Sequence, residues 1–157
     1  MGIRKRLLVL VVVALVATLP SFAKRGDGSG LGFEPKANAV KQVEAAVSKA
    51  GNKRILLEVG GAWCSWCHKL EAFLGENSEV REALAAGFVV VKINVSPENE
   101  NVEFMSNYPE VRGYPHLFVL DSDGSFLHSQ ETGALEVGET YDPARWLEFI
   151  QEWGGGS

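Results

Sequence analysis

Cysteine is nearly missing from this chain, with two among 157 residues. They are Cys64 and Cys67, so a framework of structural disulfides is excluded. A bond between neighbours that close in sequence would restrain little of the unfolded chain. Methionine is just as scarce, at two residues, which leaves no cluster to support copper delivery. Zinc finds three crowded candidates in Cys64, Cys67 and His68 and no clear fourth, so neither a metal nor a cofactor is assigned. Basic clusters are lacking too: Lys36, Lys41, Lys49, Lys53 and Arg54 are scattered among acids in a chain of formal net charge -5, which argues against a nucleic-acid partner. Only one long apolar run is present, the thirteen residues from Leu7 to Leu19, and it falls short of the ~20 that a membrane-spanning helix needs.

That run follows Arg4, Lys5 and Arg6 and ends at Pro20-Ser21-Phe22-Ala23, which is the plan of a secretory signal peptide with cleavage near Ala23. Removal of residues 1–23 takes three of the fifteen basic residues and none of the twenty acidic ones. The 134 residues left carry a formal charge of -8 and suffice for one core of ordinary size. The expected plan is a signal peptide over 1–23, a flexible lead-in over 24–33, one domain over 34–153 and a disordered tail over 154–157. A periplasmic or secreted location follows, with the chain expected to be a monomer.

The rest of the sequence alternates between helical and extended patterns. Pro35 to Ala50 carries apolar residues at helical spacing and stops at Gly51-Asn52. Ile55-Leu56-Leu57-Glu58-Val59 has strand character, and after the cysteines Leu70, Phe73 and Leu74 share one helical face with Lys69 and Glu71 opposite. Asn77-Ser78 opens a short helix closed by Gly87. Phe88 to Val95 reads as a central strand covered on both faces, Glu98 to Asn107 as a helix, and Leu117 to Leu120 as a further strand. Asp121-Ser122-Asp123-Gly124 marks a hairpin into Phe126-Leu127-His128, and Asp142-Pro143 opens a final helix to Trp153.

A C-x-x-C pair at a strand-to-helix junction reads as a dithiol redox site. The helix N-terminus lowers the pKa of a thiol beside it, which makes Cys64 the nucleophile and Cys67, one turn further in, the resolving thiol. Trp63 and Trp66 flank the sulfurs as a possible apolar docking rim, with Trp63 assigned mainly to packing and Trp66 mainly to the surface. Cys64-Ser65-Trp66-Cys67-His68 also satisfies the C-x-x-C-H signature of covalent haem attachment, with Met105, His116 or His128 as distal ligands. The β-rich runs weigh against a mainly helical cytochrome. A non-catalytic binding or metal-delivery module is the third alternative.

From Arg54 to Trp153 the chain resembles the thioredoxin superfamily, most closely exported members with a Trp-Cys-x-Trp-Cys motif. The resemblance rests on Glu58 six residues before Cys64, on Trp63-Cys64 and Cys67 at a helix start, on Lys92 in the next strand, and on Val111-Arg112-Gly113-Tyr114-Pro115. Departures are Ser65-Trp66 in place of Gly-Pro, Ala72 in place of a kinking proline, and Glu58 in place of aspartate. The resemblance implies an α/β, three-layer thioredoxin-like fold, with a central mixed sheet of about four strands flanked by helices. It also implies that Glu58 accepts the Cys67 proton while Lys92 tunes it, and that Pro115 is cis with Tyr114 before it facing the cysteines. Such a protein acts on protein or small-molecule disulfides and dithiols and depends on a redox partner in the cell envelope, with reductase the favoured direction.

Overall fold

The computed structural model describes residues 31–156, so the expected signal peptide lies outside the described residues. Four strands form one mixed sheet: β1 (Arg54–Gly60), β2 (Phe88–Asn94), β3 (His116–Leu120) and β4 (Phe126–Glu131), in the order β2-β1-β3-β4. β1 runs parallel to β2 and antiparallel to β3, and β3 pairs antiparallel with β4. Every residue of β1 from Ile55 to Gly60 is buried because helices cover both faces of the sheet. On one face Ile55, Leu57, Val59, Val91, Ile93, Phe118 and Leu120 pack against α1 (Ala39–Ala50) and Phe104 of the short α4 (Val102–Met105). On the other, Leu56, Leu117 and Val119 meet α2 (Ser65–Glu76), α3 (Ser78–Gly87) and α5 (Pro143–Trp153). This is the thioredoxin-like layering that the resemblance implied.

Several helix starts follow their local chemistry. Asn38 caps α1 by accepting from the Lys41 amide at 3.0 Å, and Asp142 caps α5 by accepting from the Ala144 amide at 2.8 Å, with Pro143 in the first turn. The expected helix over Pro35 to Ala50 therefore begins only at Ala39, after a turn closed by the Ala37 amide on the Glu34 carbonyl.

Other expectations differ from what is observed. β2 is an edge strand among the described residues, not a central one, and Val90 is 38% exposed. A continuous apolar run records helices above and below a strand; it says nothing of what lies beside it. The helix expected over Glu98 to Asn107 shrinks to the four residues of α4, because Ser96 and Asn99 close a tight bridge around Pro97 and Asn101 takes a left-handed φ of 48°. Leu31 and Phe33, placed by sequence in a flexible lead-in, are buried. The end placed in a disordered tail lies against the body, with the Gly155 amide donating to the Gly87 carbonyl at 3.0 Å. Only glycine fits there, since a Cβ on Gly155 would sit 2.6 Å from the Asn52 carbonyl oxygen. Between β4 and α5 the chain adds a 3-10 turn (Thr132–Leu135) and a small hairpin, β5 (Glu136–Val137) with β6 (Thr140–Tyr141), none of which the sequence pattern announced.

Candidate active site

The two cysteines meet where β1 hands over to α2. Cys64 is the N-cap of α2, with extended backbone angles, and its Sγ accepts from the Cys67 amide at 3.1 Å. Cys64 and Cys67 are joined as a disulfide with their Cα atoms 5.2 Å apart. Gly60 ends β1 directly against it: a Cβ there would lie 2.5 Å from Cys67 Sγ, so this position has no room for a side chain.

Glu58 lies two residues before Gly60 and therefore on the same face of β1, one strand repeat of about 7 Å away. Its side chain is 3% exposed as a residue, opposite Lys92 in the parallel register and Leu117 in the antiparallel one. Lys92 Nζ stands 3.5 Å from Glu58 Oε2 and 2.8 Å from Glu71 Oε2, so one ammonium serves two carboxylates. Burial pushes the Glu58 carboxyl up to about 6; Lys92 opposes that rise and the nearby negative charge of Glu71 adds to it. The second carboxyl oxygen, Oε1, is buried without a hydrogen-bond partner. Glu58 lines a mostly apolar cavity of about 310 Å³ between α2, α3 and the edge strand, together with Leu74, Val90, Lys92 and Trp146.

The aromatic assignments exchange places. Trp63 is 55% exposed; its indole N–H donates to the Val95 carbonyl at 2.7 Å, which leaves the ring outside, edge-on to Tyr114 at 5.3 Å between centroids. Trp66 is half-buried instead, packed edge-on against Tyr141 at 5.5 Å, with Lys69 Nζ 3.9 Å from its ring centroid. It turns inward because Trp66, Leu70 and Phe73 recur at helical spacing along the buried stripe of α2. The Tyr114–Pro115 peptide is cis, Pro115 is buried, and its carbonyl accepts from Thr132 Oγ1 at 2.7 Å. Trp63 and Tyr114 border an open groove of about 510 Å³ that continues along Val95, Ser96, Pro97 and Glu100.

The structure thus gathers Cys64, Cys67, Trp63, Trp66, Tyr114, Glu58 and Lys92 about one end of the sheet. Sequence reasoning missed Glu71, Phe33 and Tyr141. Glu71 had a signal, since it sits one helical turn after Cys67, but the same position reads equally as solvated surface. His68 is exposed, and its Nε2 lies 2.8 Å from the Ala62 carbonyl oxygen.

Comparison with known proteins agrees with this geometry. The model of the thioredoxin-like domain family matches residues 41–148, and the chain belongs to that family. It is 31% identical over 133 residues to the disulfide bond reductase DsbH of Chlamydia pneumoniae, across 74% of this chain and 80% of that one. It is also 26% identical over 152 residues to the thiol:disulfide interchange protein DsbD of Yersinia pestis, across 93% of this chain; it spans about a quarter of that relative, 24% of its length. Among solved structures, a disulphide isomerase from Xylella fastidiosa Temecula1 superposes with a TM-score of 0.64 at 28% identity, over 76% of this chain and 93% of that one. The curated relatives are named as a disulfide bond reductase and a thiol:disulfide interchange protein, and this chain carries a bonded C-x-x-C pair at the head of α2.

Proposed function

We propose that the protein is an exported thiol-disulfide oxidoreductase that works in the reducing direction through Cys64 and Cys67. The observation that carries the exchange chemistry is the position of Cys64: its sulfur caps the N-terminus of α2, where the Cys67 amide and the helix dipole stabilise a thiolate. The reducing direction is supported by the likeness to the disulfide bond reductase DsbH. In the reduced protein the Cys64 thiolate attacks one sulfur of a substrate disulfide, and the other substrate sulfur leaves and takes up a proton. Cys67 then loses its proton and attacks Cys64 Sγ, which releases the second substrate thiol. The protein ends as the disulfide and the substrate has gained two electrons and two protons.

Glu58 is the acceptor for the Cys67 proton. A carboxyl with a pKa near 6 is ionised enough at neutral pH to take a proton and weak enough as an acid to hold it briefly. One strand repeat separates it from Gly60, so the transfer runs through a bridging water. Lys92 holds the carboxylate in place, and Trp63, Trp66 and Tyr114 form the rim on which the substrate lies. The C-x-x-C-H alternative is disfavoured by the Cys64–Cys67 bond and by the Ala62 contact of His68.

Export is supported by the basic and apolar N-terminus ending at Ala23. A cell envelope is oxidising, so the dithiol there needs a partner protein to return it to the reduced form. The test is equilibration of the purified protein with glutathione or dithiothreitol. A potential near the ~-270 mV of thioredoxin is the expected result, and one near the ~-120 mV of strong envelope oxidants would reverse the assigned direction. Cys64→Ser is expected to abolish exchange and Cys67→Ser to trap mixed disulfides. Full activity in Cys64→Ser would end the nucleophile assignment.

A further inference from the structure

The disulfide is closed off from solvent by the protein itself. Cys64 is 3% exposed and Cys67 fully buried, in one apolar cluster with Leu31 and Phe33, against which Trp66 and Tyr114 also pack. Leu31 and Phe33 flank Gly32, whose φ of 80° turns the chain between them. Phe33 Cζ comes within 3.2 Å of the point where a Gly60 side chain would begin, the same point that Cys67 Sγ approaches to 2.5 Å. Ring and sulfur therefore meet over Gly60. The Phe33 ring also has Lys92 Nζ 5.3 Å from its centroid.

Thiol-disulfide exchange needs an open approach to the sulfur under attack. With Cys64 closed in to this degree, some neighbour must leave first. α2 carries the sulfurs and cannot leave without unfolding, while Tyr114 is anchored by the buried Pro115 and by its contact with Trp63. Residues 31–33 belong to no helix or strand and precede the first helix, so displacing them dismantles neither a helix nor the sheet.

We propose that the Leu31–Phe33 segment occupies, within the chain, the seat that the reduced partner protein must take to attack the Cys64–Cys67 bond, and that this partner presents an aromatic side chain beside its own cysteines. The walls of the seat argue for that chemistry. They are the sulfurs, Trp66 and Tyr114, with a lysine ammonium placed over the ring now held there, and that cation favours an aromatic occupant over an aliphatic one. The proposal rests on the oxidoreductase reading above and adds no redox step to it.

The test compares wild type with Phe33→Ala in the rate at which dithiothreitol reduces the Cys64–Cys67 bond. The expected result is an increase of about tenfold or more, because the rate scales with the fraction of molecules whose seat is open. Phe33→Tyr, which refills the seat, is expected to return the rate to that of wild type. If Phe33→Ala fails to fold by circular dichroism, Leu31→Ala carries the same comparison. A folded variant that reacts no faster than wild type would overturn the cover. In a second arm, two reduced dithiol peptides differing only in Phe or Ser beside the cysteines are offered to the oxidised wild-type protein; faster reaction of the Phe peptide supports an aromatic partner and equal rates exclude it. Resistance of the disulfide to dithiothreitol in wild type and every variant would instead sink the oxidoreductase reading, a different outcome from failure of the cover.

Discussion

Replacing Glu58 with glutamine should change how stability depends on pH, and by an amount the structure sets. Glu58 ionises near pH 4.5 when solvated and near 6 in the folded protein, with burial the leading cause. Below 4.5 the carboxyl is neutral in both states and burial costs it no ionisation. As pH rises through 6 the folded state must ionise a group that the unfolded state ionises more easily, so folding loses stability. The difference between 4.5 and about 6 corresponds to about 2 kcal/mol, present in full above the higher value. Glutamine carries no charge at any pH. Urea unfolding of oxidised wild type and Glu58→Gln, run at about pH 4 and about pH 8, should show the variant gaining about 2 kcal/mol relative to wild type at the higher pH. Other titrating groups, His116 included, contribute to both proteins and cancel in the difference. Lys92 keeps its partner Glu71 at 2.8 Å in the variant, so no buried ammonium is orphaned. A difference that does not move with pH, or one that moves towards wild type, would mean that Lys92 outweighs burial, and Glu58 would lose its place as a proton acceptor tuned towards neutrality.

Tyr141→Ala should cost about 3–5 kcal/mol, since it empties a buried site among Trp66, Phe73 and Trp146; a loss under about 1 kcal/mol in the denaturation midpoint would show that the β5–β6 hairpin contributes little to holding α2. Gly60→Ala should weaken the oxidised form more than the reduced one, because the new methyl falls 2.5 Å from Cys67 Sγ. Reductive equilibration would then give a more oxidising potential than wild type, and an unchanged value would show that α2 moves aside without cost.

What could be read from the chain alone was whatever depends on near neighbours. Ile55 to Val59, the stripe Leu70 and Phe73, the Asp142-Pro143 start and the Asp121 to Gly124 turn each carry their period or cap within a few residues, and all of these elements form. The Cys64–Cys67 pair at the head of α2 belongs to the same kind of information. Glu58 and Lys92 became candidates through a family pattern, and their pairing required the parallel register of β1 and β2.

Other features were decided by groups distant in sequence. The run Phe88 to Asn94 looks the same whether it lies at the centre of a sheet or at its edge, because its pattern reports cover above and below. Trp63 and Trp66 are three residues apart with identical side chains, and only the packing of α2 on Tyr141 and the carbonyl of Val95 turn one inward and the other out. Phe33 sits in a stretch of glycine and charge that gives no helical or strand signal, yet it meets Gly60 and Lys92 once β1, β2 and α2 have assembled. The sequence by itself determined where the redox pair lies and which helix presents it. The tertiary structure alone decided how closed that pair is, because solvent exposure depends on chain segments brought together by folding.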